Sequence, residues 1–294
     1  MERIDLHGVA QTLLITLTAR ARDAESERPL LGDTDAAELA SRLAADNTQC
    51  KMTWMSYYGI LARAMTMDGE IRRWLHRHPG GVVVSLGSGL DTRFSRVDDG
   101  TVEWFDVDFP EVIAYRERLF APHPRVTTVA GNMLERAWTY AIPHDRPLLI
   151  IAEGVVMYLT WEEIGTFLQI VTTEFAEFDL HLDFAQPWMV GRSRQHDAVR
   201  HMQAEFRSGT WRGKEVTELA PGVVQTGYIN FTDTMRRIIP GWRKLMIPML
   251  YLMNNRMGLY HYHAAAATRK ARDVWGQHRT DSMVQSPAYA EWKK

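Results

Sequence analysis

From Gly80 onward the chain alternates short runs of β-branched and aliphatic residues with longer stretches of helical pattern, and this alternation constrains the fold more than any other feature. The runs are VVVSL at Val82 to Leu86, VEWFDVD at Val102 to Asp108, RVTTVA at Arg125 to Ala130, LLIIAE at Leu148 to Glu153 and DLHLDF at Asp179 to Phe184. Strands separated by helical crossovers pair in parallel, and the helices then cover the faces of the sheet. The helix after the fourth run is the most legible. Thr160 and Glu163 make a capping box, and Trp161, Ile164, Phe167, Leu168, Val171, Phe175 and Phe178 follow as an apolar stripe.

The rest of the chain is organised around that core. At 294 residues and 46% hydrophobic content it can bury one large core, which predicts a single elaborated domain over 1–268. Residues 1–80, rich in Ala, Leu and Arg and broken by the turn at Pro29 to Asp35, read as a helical N-terminal cap; 81–185 reads as the strand–helix core. Residues 186–254 lose the strand–helix rhythm and read as an insertion over a cleft, with helices expected around Gly191 to Phe206 and Phe231 to Ile239 and an apolar segment at Trp242 to Met253. A last strand in 255–268, beginning near Leu259, returns to the sheet, and 269–294 is a polar tail.

Charge and cysteine usage exclude several classes. With 34 basic against 36 acidic residues the net charge is −2, which provides no global field for a polyanion, so no nucleic-acid partner is expected. One cysteine, Cys50, permits neither an intrachain disulfide nor a Cys-based zinc site, and a reducing cytoplasm is the default. Glu2 and Asp5 spoil the N-terminus as a signal peptide, and the apolar run Leu148 to Leu159 is short and interrupted by Glu153, so no membrane partner is expected. The pairs His76 with His78 and His261 with His263 have no carboxylate cluster beside them in sequence, and no metal is expected.

The first strand runs directly into Leu86-Gly87-Ser88-Gly89-Leu90-Asp91-Thr92-Arg93. Two glycines one residue apart let the backbone turn sharply and approach a ligand, so a side chain at Gly87 is expected to fill ligand space while leaving the fold intact. Asp106 and Asp108 follow 19 and 21 residues after Gly87, near the spacing of a carboxylate that accepts from ribose hydroxyls. Either could instead cap the helix that begins near Pro110. Thr92 stands where a dinucleotide fold wants its third glycine, and Asp91 would repel a pyrophosphate, which disfavours NAD. S-adenosylmethionine, cationic and free of phosphate, suits the loop.

LGSGLDTR, FDVDFPEVI at Phe105 to Ile113 and AEGVVMYL at Ala152 to Leu159, in that order, resemble the leucine carboxyl methyltransferase family, in particular its bacterial tetracenomycin O-methyltransferase-like branch. The resemblance extends to TARARDAESERPLLGD and to GWRKLMIPMLYLMNNRMGLYHYH. It implies a Rossmann-like class I methyltransferase: an α/β fold with a mostly parallel, seven-stranded sheet, a helical N-terminal cap and an inserted substrate lid. It further implies Gly87 and Gly89 along the methionyl part of the cofactor, Asp108 on the ribose, and Asn132 with Met133 at the adenine, Asn132 replacing a common aspartate. Glu153 falls near the methionine ammonium and Arg63 on the methionine carboxylate, with Arg20 or Arg22 as a second basic contact, Arg22 being carried forward. Tyr158, Trp188 and Trp211, with Tyr228, Trp242 and the Met-rich run, are expected to line the acceptor cleft.

Methyl transfer from a sulfonium is an in-line displacement that needs alignment and exclusion of water more than a nucleophilic side chain. The resemblance implies a carboxylate of a small molecule or peptide, in secondary metabolism, as the acceptor; such a group is already ionised at neutral pH, which agrees with the lack of an evident catalytic dyad. The alternatives are a phenol or hydroxyl acceptor with a histidine base such as His181, and a catalytically silent cofactor-binding protein.

Overall fold

A computed structural model describes residues 13–43, 52–192 and 205–265. In chain order the elements are α1 (Leu13–Ala24), α2 (Thr34–Arg42), α3 (Trp54–Arg77), β1 (Val82–Leu86), α4 (Arg93–Val97), β2 (Glu103–Asp108), α5 (Pro110–Leu119), β3 (Val126–Ala130) and β4 (Leu148–Ala152). There follow α6 (Trp161–Glu174), β5 (Glu177–Phe184), α7 (Glu215–Leu219), β6 (Val223–Asn230), α8 (Thr232–Ile238), a 3₁₀ segment Gly241–Met246, α9 (Ile247–Met253) and β7 (Arg256–His263). The sheet has seven strands in the order β3-β2-β1-β4-β5-β7-β6. The first five pair in parallel, and β7 runs antiparallel to both β5 and β6.

The five sequence runs become β1 to β5 because their composition suits strands covered on both sides. Every residue of β1 and of β4 is buried, as continuous aliphatic runs in the middle of a parallel sheet require. One face packs against α6, whose Ile164, Phe167, Leu168 and Val171 meet Val84, Ile150 and Leu182 in one cluster. Met67, Ile71, Trp74 and Leu75 of α3 cover the other face over Val83, Leu149 and Ile151. The capping box at α6 is present in both directions, Thr160 Oγ1 accepting from Glu163 N at 3.1 Å and Glu163 Oε2 from Thr160 N at 2.7 Å. Phe178, assigned to that helix by its stripe, belongs to β5 and packs on Tyr262 across the strand pair.

The last two strands depart from the sequence expectation. β6 lies inside 186–254, the segment expected only to cover a cleft, and pairs with β7 at the sheet edge. Its single bulge, between Gln225 and Gly227, and the exposure of Val224 weaken the period-two pattern that would have revealed it. The β5–β7 register sets Asp179 opposite His261 and Glu177 opposite His263, so the histidines do acquire carboxylate neighbours. His261 Nδ1 lies 3.0 Å from Asp179 Oδ1, and Trp74 Nε1 donates to the other oxygen at 2.7 Å. Even so, no group of three or more candidate metal ligands forms among the described residues. Within them, no helix is long and apolar enough to cross a membrane. The tail 269–294, and most of the helix expected around Gly191 to Phe206, lie outside the described residues.

Candidate functional site

The strand order reverses between β1 and β4, and the chain leaves that point in opposite directions, opening a crevice at the carboxyl ends of the two strands. Gly87 and Gly89 follow β1 there with φ of 62° and 51°, and Gly154 follows β4 with φ of 69°, conformations that favour glycine. A cavity of about 380 Å³ occupies the crevice. Arg63, Gly87, Gly89, Glu153, Tyr158 and Trp188 all line it, residues drawn from α3, the turns after β1 and β4, and the segment after β5.

Its floor is ionic. Glu153 Oε1 accepts from Arg63 Nε at 2.9 Å, its other oxygen pairs with Arg93, and Arg63 Nη1 lies 3.3 Å from Asp183 Oδ2. Arg93 also holds Asp91 and reaches Asp68 at 2.7 Å. Asp68 pairs at 2.7 Å with Arg96, which lies 2.6 Å from Asp33; Asp33 in turn meets Arg20 at 2.8 Å. Four guanidiniums thus face five carboxylates, and with all ionised the cluster keeps a negative excess that favours a cationic ligand. Burial works against the Arg63 charge, but Glu153 and Asp183 outweigh it and raise the guanidinium pKa. Burial would also raise Asp91, yet Arg93, Arg20 and Arg96 hold it well below the usual carboxylate range. Asp183 is pushed up to about 6 by burial, against the pull of Arg63.

Two features keep the Arg63 fork available. The missing side chain at Gly154 leaves room for it, since a Cβ there would come within 3.3 Å of Nη1. Glu153 and Asp183 use Nε and Nη1, leaving Nη2 with no partner among the described residues. Asp183 completes the arrangement by accepting from Gly154 N at 2.7 Å, which fixes the turn that carries Glu153.

Other expected residues fall elsewhere. Asp108, Asn132 and Met133 do not line the cavity; they extend along the same carboxyl edge of the sheet, at the ends of β2 and β3. Asp108 accepts from Gly89 N at 2.7 Å and from Phe109 N at 2.8 Å, tying the glycine loop to β2, and burial raises its pKa. Asn132 Oδ1 accepts from Leu134 N at 3.0 Å, and Met133 packs in the core beside Trp138. Asp106 is structural: it accepts from Trp104 Nε1 at 3.0 Å and pairs with Arg116, which also donates to Gly89 O at 2.8 Å and so braces the loop.

Arg22 is exposed, its guanidinium 5.1 Å above the Tyr57 ring; Arg20, two residues earlier on α1, is the basic residue that lines the cavity. Arg20 donates to Thr92 Oγ1 at 2.6 Å and to Leu90 O at 3.0 Å. Trp211 is off the cavity, half exposed beneath Arg256, and Tyr228 and Trp242 are likewise absent from its wall. His181 also lies outside the lining. It is buried in β5, and burial lowers its pKa to about 4.

Sequence reasoning missed Asp183 and the roles of Arg93 and Asp68. Arg93 closes the motif LGSGLDTR, so a charged residue opening a short helix was the available signal; nothing local marked Asp183, one of two aspartates in an alternating strand. Beyond the ionic floor the walls carry Ile60, Met157, Met189, Phe206, Met235 and Leu250, with Thr53, Ser56, Asn254 and Asn255 among them. No histidine or lysine lines it among the described residues, and both lining carboxylates, Asp91 and Glu153, are salt-bridged.

Residues 13–172 match the family model described as leucine carboxyl methyltransferase. The tetracenomycin polyketide synthesis O-methyltransferase of Streptomyces glaucescens is 33% identical over 223 residues, covering 76% of this chain and 83% of that protein. An S-adenosyl-L-methionine-dependent methyltransferase of Gibberella zeae, dpfgK, is 33% identical over 194 residues, covering 60% and 64%. Among solved structures, a DUF574 family protein from Streptomyces avermitilis shares the fold at a TM-score of 0.53 and 15% identity, over 83% of this chain and 96% of that one. A second, from Thermobifida fusca, gives 0.54 at 15% identity over 84% and 94%.

Proposed function

Because the chain belongs to the leucine carboxyl methyltransferase family, we propose that it transfers the methyl group of S-adenosylmethionine to a carboxylate of a small molecule or peptide in secondary metabolism. It is an S-adenosylmethionine-dependent methyltransferase with a Rossmann-like class I fold. The site fits that cofactor: two glycines that bring backbone close to the cavity, a guanidinium with an unused donor pair, and a negative excess around it. In this reading Arg63 takes the methionine carboxylate through Nη2 and Glu153 faces the ammonium, with Gly87 and Gly89 along the methionyl chain. Asp108 takes the ribose and Asn132 with Met133 the adenine, while Arg20 replaces Arg22 as the second basic residue. Tyr158 and Trp188 remain on the acceptor side. Residues 231–254 and the stretch after β5 cover the cleft, and the reducing cytoplasm is its place.

Bound, the cofactor supplies an electrophilic methyl on a cationic sulfur. The chain's own contribution is to hold the acceptor's oxygen in line and exclude water, and the Met and Phe walls suit this because opposite charges attract more strongly where water is absent. The observation that carries the carboxylate reading is the lining itself, which offers an acceptor no free base among the described residues. A carboxylate needs none, whereas a phenol of pKa about 10 does. The experiment incubates the enzyme with paired acids and phenols and subjects each product to mild alkali. A methyl ester is cleaved and returns the acid; an aryl methyl ether survives. With an acid acceptor kcat stays nearly flat from about pH 6 to 9, and His181→Ala costs little, since that ring does not reach the cavity. Alkali-stable product as the main turnover, or a steep kcat rise lost in His181→Ala, overturns the reading.

A further inference from the structure

The wall that closes the cavity on its apolar side has an outer face of a different kind. Met235 of α8, with Leu250 and Met253 of α9, line the cavity from within. On the outside Trp242 is 70% exposed, Leu245 81% and Leu252 64%. Trp242 and Leu245 stand three residues apart in the 3₁₀ segment, a spacing that eclipses side chains on one side of such a helix. Four of the eleven large apolar side chains exposed among the described residues fall between Trp242 and Met253, which is a concentration rather than the usual scatter.

Cations flank them. Arg236, Arg237 and Lys244 are exposed and form no salt bridge with a carboxylate among the described residues, although Arg236 lies against the Tyr251 hydroxyl. Arg243 packs its guanidinium 5.4 Å over the Trp54 ring. The one acidic residue from 231 to 253, Asp233, accepts from the Tyr251 hydroxyl. A chain of net charge −2 therefore carries a local positive, apolar face on the outside of one wall of its cavity. A second copy does not suit it, because a two-fold interface would set these cations against themselves.

We propose that the face formed by α8, the 3₁₀ segment and α9 docks on an anionic lipid surface, with Trp242, Leu245 and Leu252 in the acyl–headgroup boundary and Arg236, Arg237 and Lys244 against the headgroups. Exposed apolar side chains with exposed cations in the same segment match what an interface takes up, and they need no complementary pocket in a partner. The sequence offered a membrane no spanning helix, and surface docking requires none. Docking there would hold an apolar acceptor dissolved in that surface close to the cavity. That last consequence rests on the methyl-transfer reading; the lipid contact does not.

The test is co-sedimentation of the ligand-free full chain with vesicles of phosphatidylcholine alone or with about 30% phosphatidylglycerol. Binding is expected to the anionic vesicles at least tenfold more strongly than to the neutral ones, and to fall steeply in about 0.5 M NaCl. Each of Arg236→Gln, Arg237→Gln and Lys244→Gln should weaken it about fivefold. Trp242→Ser/Leu245→Ser should abolish binding while keeping the wild-type thermal midpoint and wild-type turnover of a water-soluble acceptor, because neither side chain lines the cavity. Absence of binding to anionic vesicles overturns the proposal and leaves the face to an acidic protein. Binding that survives the double substitution, or is equal on neutral vesicles, overturns it as well. If vesicles bind but no acceptor is methylated, the functional reading fails and this one stands.

Discussion

Adding one methyl group at Gly87 tests how the loop after β1 is held. Gly87 sits at φ 62°, where an L-residue costs roughly 1–2 kcal/mol. A Cβ there would also lie 2.5 Å from Cγ2 of Val155, in the turn after β4, an overlap that adds about 1–3 kcal/mol as the two turns separate. The lost flexibility of the unfolded chain returns some 0.4–1 kcal/mol. Gly87→Ala should therefore destabilise by about 2–4 kcal/mol, lowering the thermal midpoint by roughly 5–10 °C for a domain of this size. Val155→Ala removes the clashing atom but not the backbone strain. In a double-mutant cycle followed by circular dichroism, it should recover about 1–2 kcal/mol of the loss. The sequence suggested that a side chain here would enter ligand space and leave folding alone; the structure directs it onto Val155 instead. A wild-type midpoint in Gly87→Ala would refute the strain argument, and strict additivity in the cycle would refute the clash.

Arg63→Lys should raise the KM for S-adenosylmethionine at least tenfold with kcat little changed, because one ammonium cannot hold Glu153, Asp183 and a ligand carboxylate at once; an unchanged KM removes Arg63 from the cofactor site. Stability against pH separates two buried groups of β5. His181, lowered to about 4 from about 6.5, leaves the unfolded chain binding more protons between those values, so its contribution is full above pH 6.5 and is lost as pH falls toward 4. Asp183, raised to about 6 from about 3.9, acts oppositely: its contribution is present below pH 4 and is lost as pH rises through 6. Asp183→Asn should consequently make the thermal midpoint fall more steeply on acidification than in the wild type, and His181→Leu less steeply; parallel curves for all three proteins would show that neither group titrates as described.

What could be read from the sequence was what is encoded within a few neighbouring residues. The periods of β1 to β5, the Thr160–Glu163 capping box and the paired glycines after β1 are each local, and each is present in the structure. The family resemblance drew on the same short motifs, which is why it placed Arg63 and Glu153 together although 90 residues separate them. β6 was hidden because a bulged edge strand needs only one neighbour and shows a weak alternation.

Side-chain selection at the site belonged to the tertiary structure. Arg20 and Arg22 are equivalent by composition, yet the turn of α1 buries one against Asp33 and Thr92 and leaves the other over Tyr57. Trp188 and Trp211 read alike as cleft aromatics, and only the packing of the segments around them seats the first in the cavity and the second outside it. Asp183 became part of the site because β5 lies beside β4 and delivers its carboxylate to Gly154 and Arg63. Periodicity determines which face of an element is apolar, through burial of area along a local pattern. Which charge meets which depends on distances between residues far apart in sequence, and those exist only once the sheet order is set.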